Sequence, residues 1–220
     1  MMYFWPLTKV IRILNSKNIY ILRHGQTDFN KRGVVQGSGI DASLNDTGRK
    51  QAMAFYEAYK SKDFDNIYVS NLQRTHQTVE PFINNGHKLN KMAGFNEIDW
   101  GEYEGKSMTT ESNAYYSEMS EKWSNGEVHL PIEGGESPLE VLKRIDEAMK
   151  VVMAAEDEMN VLICMHGRAM RILLTSLLGY PLSLMDMFPH HNVGFYQLHH
   201  TGSMHSVLKF NEYSHLNGLA

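Results

Sequence analysis

Two short apolar runs, each closing on a histidine and a glycine, constrain this 220-residue chain more than any other feature. The first is Ile19 to Leu22, which stops at Arg23-His24-Gly25. The second is Val161 to Met165, which stops at His166-Gly167-Arg168. An unbroken apolar run of this length, without polar alternation, reads as a strand buried on both faces, as parallel sheets require. Open α/β sheets bind ligands just beyond the carboxyl ends of their strands. Two parallel strands that each deliver a histidine to the same sheet edge bring those histidines together. An arginine beside them offers a planar fork of donors matched to phosphate oxygens. A neutral imidazole is a competent nucleophile at neutral pH, because its ordinary pKa is about 6.5.

The intervening pattern alternates strands and helices. Asp46-Thr47-Gly48 opens a helix to about Lys62, with Ala52, Phe55, Tyr56 and Tyr59 near one face. Asn66 to Ser70 is a β-prone run, and Ser70-x-x-Gln73 is a capping box that places Arg74 in a first helical turn. Residues 88–98 read as a further strand leading into a carboxylate-rich, glycine-bracketed stretch, Glu97 to Gly105. Ser137-Pro138-x-Glu140 is a helix start, followed by Val141, Ile145, Ala148, Met149 and Val152 at helical spacing. Residues 192–198 and 206–210 form a terminal hairpin across Thr201-Gly202-Ser203. The order predicts a three-layer α/β/α sandwich with a mostly parallel central sheet. Neither repeats nor a linker divide it, so residues 18–220 are expected to form one domain behind an extension over 1–17.

Composition narrows the function classes. A net charge of −4 argues against a broad nucleic-acid surface. The single cysteine, Cys164, lies inside the second apolar run and reads as a core residue of a protein in a reducing, cytoplasmic compartment. No stretch approaches the roughly 20 apolar residues of a membrane span. The apolar residues of 1–15 lack the order of a secretory signal, and their polar face is too thin for a membrane-surface helix. His190, His191, His199, His200 and His205 are numerous but lack ligand spacing, so no metal is expected.

Arg23-His24-Gly25-Gln26-Thr27, with Asn30, Gln36 and Gly37 beyond, resembles the first motif of the histidine phosphatase (phosphoglycerate mutase-like) superfamily. Four further segments agree in order. They are Leu44 with Gly48-x-x-Gln51-Ala52, Ser70-x-Leu72-x-Arg74-Thr75-x-x-Thr78, Glu97 with Gly101 and Gly105, and Gly134-Gly135-Glu136-Ser137 ahead of His166-Gly167. The resemblance implies that His24 attacks phosphorus and Glu97 serves as the proton donor and acceptor, with Asp99 the second choice. It implies that Arg23, Arg74 and His166 surround the phosphoryl oxygens, while Asn30, Gln36, Gly37 and Gly167 complete the pocket. No cofactor is implied. Glu97 is expected to have its proton affinity raised by burial or by the phosphate's own charge.

The stretch after Glu97 looks like the phosphatase branch. Glycolytic mutases carry an arginine where Ile98 stands, and often serine or threonine at Gln36. A small phosphorylated metabolite is therefore the expected partner, without nucleic acid or membrane. A mutase is the first alternative, and a silent phosphate-binding protein the second. Residues 107–133 are read as an insertion that sets substrate choice. The sequence leaves the substrate and the oligomeric state, a homodimer included, unassigned.

Overall fold

The computed structural model describes residues 16–107 and 109–218. Residues 1–15, the greater part of the expected extension, lie outside the described residues. A six-stranded sheet in the order β3-β2-β4-β1-β5-β6 forms the centre. Its strands are β1 (Ser16–Arg23), β2 (Asn66–Val69), β3 (Leu89–Lys91), β4 (Asn160–Met165), β5 (Phe195–Thr201) and β6 (His205–Glu212). The first four strands in that order run parallel, and β5 and β6 are antiparallel. The sheet is thus mostly parallel, as the sequence pattern predicts.

Helices cover both faces. α2 (Asp46–Tyr59) and α3 (Gln73–Asn84) bury Phe55, Val79 and Phe82 against Tyr20, Leu22, Ile67 and Leu162. α5 (Pro138–Ala154) and α6 (Gly167–Leu177) bury Val141, Ile145, Val152, Ile172 and Leu173 against Ile19, Ile21, Val161 and Ile163 on the other face. Alternate residues of β1 and β4 therefore serve opposite layers, and this is why both runs are apolar throughout. Two further helices, α1 (Asp28–Arg32) and α4 (Thr110–Ser124), complete the α-helices of the described residues. Among the described residues no helix is long and apolar enough to cross a membrane.

Three elements differ from expectation. β1 begins two residues before the anticipated domain edge, because Lys17 is buried and its Nζ donates to the Val152 and Ala155 carbonyls at 2.7 and 2.9 Å. The strand expected over 88–98 is only Leu89–Lys91. The chain turns instead into a short 3-10 helix over Ala93–Phe95, where Gly94 packs so closely on α5 that a Cβ there would sit 2.6 Å from the Arg144 carbonyl oxygen. The Ser70-x-x-Gln73 capping box does not form. α3 starts at Gln73, whose amide donates to Asp41 Oδ1 at 2.6 Å, and Ser70 is turned inward. The Ser137–Glu140 capping box, with Pro138 in the first turn, is present as predicted.

Candidate active site

β1 and β4 are paired in register up to Arg23 and Met165, so the next residue of each, His24 and His166, emerges at the same edge. Their rings lie 5.1 Å apart between centroids. The tight turn after His24 depends on two bare backbones meeting. A Cβ on Gly25 would lie 2.7 Å from the Gly48 carbonyl oxygen, and one on Gly48 would lie 2.1 Å from the Gln26 carbonyl oxygen. The start of α2 therefore clamps the segment that carries His24.

His24 is buried, and its Nδ1 donates to the Gly25 carbonyl at 2.7 Å. A carbonyl can only accept, so Nδ1 carries the proton and Nε2 keeps its lone pair. Burial, together with the charges of Arg74 and Arg23, holds the His24 pKa well below the ordinary histidine value. The ring is therefore a neutral base at neutral pH with its free nitrogen set by geometry.

A cavity of about 860 Å³, counted to its open mouth, lies over this edge. Arg23, His24, Asn30, Gln36, Glu97 and Gly167 all line it. Arg23 is partly buried, and its buried Nε finds no partner in the protein. Desolvation lowers its pKa to about 10, which leaves it a cation at neutral pH. A buried, charged donor without an acceptor is costly unless a ligand supplies one. Gly167 stands beside it, since a Cβ there would lie 3.5 Å from Arg23 Nε and 2.9 Å from His190 Nε2.

Arg74, His166 and Gly37 stand behind this wall. Arg74 is 0% exposed and donates through Nε to His166 Nδ1 at 3.1 Å, and through its terminal nitrogens to the Ile40 and Gly37 carbonyls at 2.6 and 3.0 Å. With its amide oriented to satisfy both ends, Gln36 accepts from Arg74 Nε and Nη1 at 3.1 and 2.9 Å. His166 accepts from Arg74 at Nδ1, so its Nε2 donates to Ser70 Oγ at 2.8 Å. This is the use to which Ser70 is put in place of capping α3. Gly37 contributes its carbonyl to Arg74 and its missing Cβ to Glu104, which would lie 1.9 Å away from one.

Glu97 reaches the cavity from the opposite direction. Its Oε1 accepts from the amides of Ile98 and Ala169 at 3.0 and 2.9 Å, and its Oε2 from the amide of Arg168 at 3.1 Å. The amino terminus of α6 thus receives this carboxylate, as its free amides and dipole favour. Arg144 fixes the backbone beneath by donating to the Glu97, Asn96 and Gly94 carbonyls while it pairs with Glu136. Glu136 in turn accepts from the Asp99 amide at 3.0 Å, so the Gly134-Gly135-Glu136 segment supports the site from behind. Asp99 does not line the cavity. Its Oδ1 accepts from the Gly101 amide at 2.8 Å.

Several lining residues escaped the sequence reading. Arg168 and Arg171 project from α6, and both donate to Asp186 Oδ1 at 2.6 Å. His190 lines the cavity with an unpartnered, buried Nδ1, and burial beside three arginines drives its pKa down to about 2. Trp100, Tyr103, Tyr115 and Tyr116 supply an aromatic side. Among the described residues, no group of three or more histidine, cysteine or acidic side chains is placed to hold a metal ion.

A profile of the histidine phosphatase superfamily (branch 1) matches residues 19–213. The chain belongs to that family. It is 28% identical over 199 residues to phosphoserine phosphatase 1 of Hydrogenobacter thermophilus, covering 90% of this chain and 93% of the relative. It is 30% identical over 168 residues to the probable phosphoglycerate mutase GpmB of Citrobacter koseri, covering 74% and 75% of the two chains. In three dimensions it resembles a mycobacterial glucosyl-3-phosphoglycerate phosphatase solved with VO3, with a TM-score of 0.79, 24% identity and coverage of 89% and 98%.

Proposed function

We propose that this protein is a metal-independent phosphomonoesterase, one domain from Ser16 onward, that works through a phosphohistidine on His24. The observation that carries the reading is the pairing of a neutral imidazole, its Nε2 lone pair free, with the buried and unpartnered Nε of Arg23. Neutral nucleophile and unsatisfied cation line one cavity, together with Glu97, the one acid among the described lining residues. The phosphatase names among its relatives support the same chemistry.

The reaction follows from these positions. The phosphoryl dianion enters beside Arg23, with the buried charge of Arg74 one layer behind and Asn30 and Gln36 at the rim. His24 Nε2 forms a bond to phosphorus as the ester P–O bond breaks. The departing alkoxide takes the proton of Glu97, which must enter this step as the carboxylic acid and leaves it as the carboxylate. Water then attacks phosphorus, Glu97 takes its proton, and the P–N bond breaks to release phosphate and neutral His24. Negative charge on the phosphoryl oxygens is met by donors already fixed in place, which is where most of the acceleration arises. In this reading Arg74 and His166 act through each other and through charge on His24, and Gly167 leaves space beside Arg23. Residues 107–133 form the leaving-group side, since Tyr115, Tyr116 and Ile132 reach the cavity.

The phosphatase reading is preferred over a mutase because Ile98 occupies the position where glycolytic mutases carry an arginine, and its side chain is buried in the core. Release of inorganic phosphate from a panel of small phosphomonoesters tests the proposal. The parent protein is expected to release phosphate and His24→Ala to release none. Equal release by both proteins would overturn it.

A further inference from the structure

We propose that the substrate is the phosphate monoester of an alcohol bearing a flat apolar group, an aromatic ring above all, received by the rings of Trp100, Tyr103 and Tyr115. This deepens the phosphatase reading and rests on it.

Once the phosphoryl end is set aside, the cavity lining is dominated by ring surface. Tyr103 and Tyr115 are stacked with centroids 4.5 Å apart and planes 8° apart, which makes a rigid two-ring slab. Trp100 also lines the cavity, tilted 42° to Tyr116 at 5.6 Å, with the Arg168 guanidinium 5.9 Å from its ring. The tyrosine hydroxyl oxygens of α4 are held by the protein as acceptors. Tyr115 Oη accepts from the Glu133 amide at 3.1 Å, and Tyr116 Oη from Arg168 Nη2 at 2.6 Å. What these side chains offer a ligand is mainly ring surface, since their hydroxyl oxygens are anchored to the protein as acceptors while each O–H keeps its hydrogen to donate. A wall held in place before binding costs little ordering entropy, and ring-on-ring contact adds to simple burial.

Charge points the same way. Among the described residues lining the cavity, Glu97 is the sole acid, and three arginines line it as well. An ammonium on the leaving group would meet like charge with no carboxylate to receive it. Arg168 and Arg171 already spend most of their donor nitrogens inside the protein. Their Nη1 groups are committed to Asp186, and Arg171 Nε donates to the Phe188 carbonyl at 2.8 Å. The geometry disfavours amino-acid phosphates and favours an uncharged, flat leaving group.

The test compares kcat/KM for 2-phenylethyl phosphate, ethyl phosphate and phosphoserine, in which ring and charge change while each leaving group is an alkyl alcohol. The parent should prefer the phenylethyl ester to ethyl phosphate by at least about tenfold, a difference on the scale of one aromatic contact, and phosphoserine should be poorest. Tyr115→Phe keeps the ring and should keep the ratio. Tyr115→Ala should bring it to about twofold or less, mainly through KM. Hydrolysis of ethyl phosphate or phosphoserine as fast as the aromatic ester would overturn this proposal and leave the phosphatase reading standing. A ratio unchanged in Tyr115→Ala would do the same. Hydrolysis of none of the three, with no phosphate transferred to His24, would remove both.

Discussion

Replacing Glu97 with glutamine separates proton transfer from architecture. The side chain keeps its length, and its one carbonyl oxygen can keep the two amide bonds now made to Oε1 by Ile98 and Ala169. The new NH2 must then face the Arg168 amide, which now donates to Oε2 at 3.1 Å. One hydrogen bond to a charged acceptor is lost and a buried donor is stranded, at a cost of about 1–3 kcal/mol. For a chain of this size that lowers the melting temperature by roughly 2–12 °C. Catalysis should suffer more. Loss of a positioned general acid costs about 10²–10⁴-fold for a phosphate ester of an unactivated alcohol. 4-Nitrophenyl phosphate needs no such help, because nitrophenolate leaves without a proton. Transfer to His24 should then remain fast while water attack, deprived of its base, becomes slow. Stopped-flow detection of nitrophenolate should show a burst approaching one equivalent per site, followed by slow turnover. An equal loss with both esters and no burst would refute the assigned role of Glu97.

Acidity offers a second prediction. His24, His166 and His190 are held neutral by burial and by neighbouring arginines, with pKa values depressed in the folded state. Below about pH 6.5 the unfolded chain binds protons that the folded chain refuses, so stability is full above that pH and falls beneath it. The slope is about 1.4 kcal/mol per pH unit for each such histidine. Denaturant unfolding at pH 7, 6 and 5 should show this decline, and a flat profile would contradict the burial argument. Gly48→Ala gives a third. Its methyl would lie 2.1 Å from the Gln26 carbonyl oxygen and 2.8 Å from the Gln26 amide nitrogen, both backbone atoms, so the His24 segment must shift. More than about 2 kcal/mol of stability and most of kcat should be lost; a fully active, stable variant would show that the α2 clamp is unimportant.

The scaffold was legible in the sequence where local pattern and tertiary role coincide. Continuous apolar strands can only be central, and a terminal histidine on each of two parallel neighbours must share an edge. The Ser137–Glu140 helix start was readable because both partners of the capping box lie within one turn. Ser70 was misread because its competing partner, His166, is 96 residues away. The strand expected to reach residue 98 ended early, where the chain turns into a 3-10 helix packed on α5, which no local window contains. Arg168, Arg171 and His190 carried no signal apart from their position after a motif. Whether an arginine faces solvent or a cavity depends on what α4 and the segment around Asp186 place over it.

The central claim is that His24 carries the phosphoryl group. Rapid quenching of the protein with a 32P-labelled phosphomonoester, followed by peptide mapping, tests it most directly. The account predicts an acid-labile, alkali-stable label on His24, absent from His24→Ala and longer-lived in Glu97→Gln. Full turnover without a labelled enzyme in either the parent or Glu97→Gln, or a label on any other residue, would contradict it.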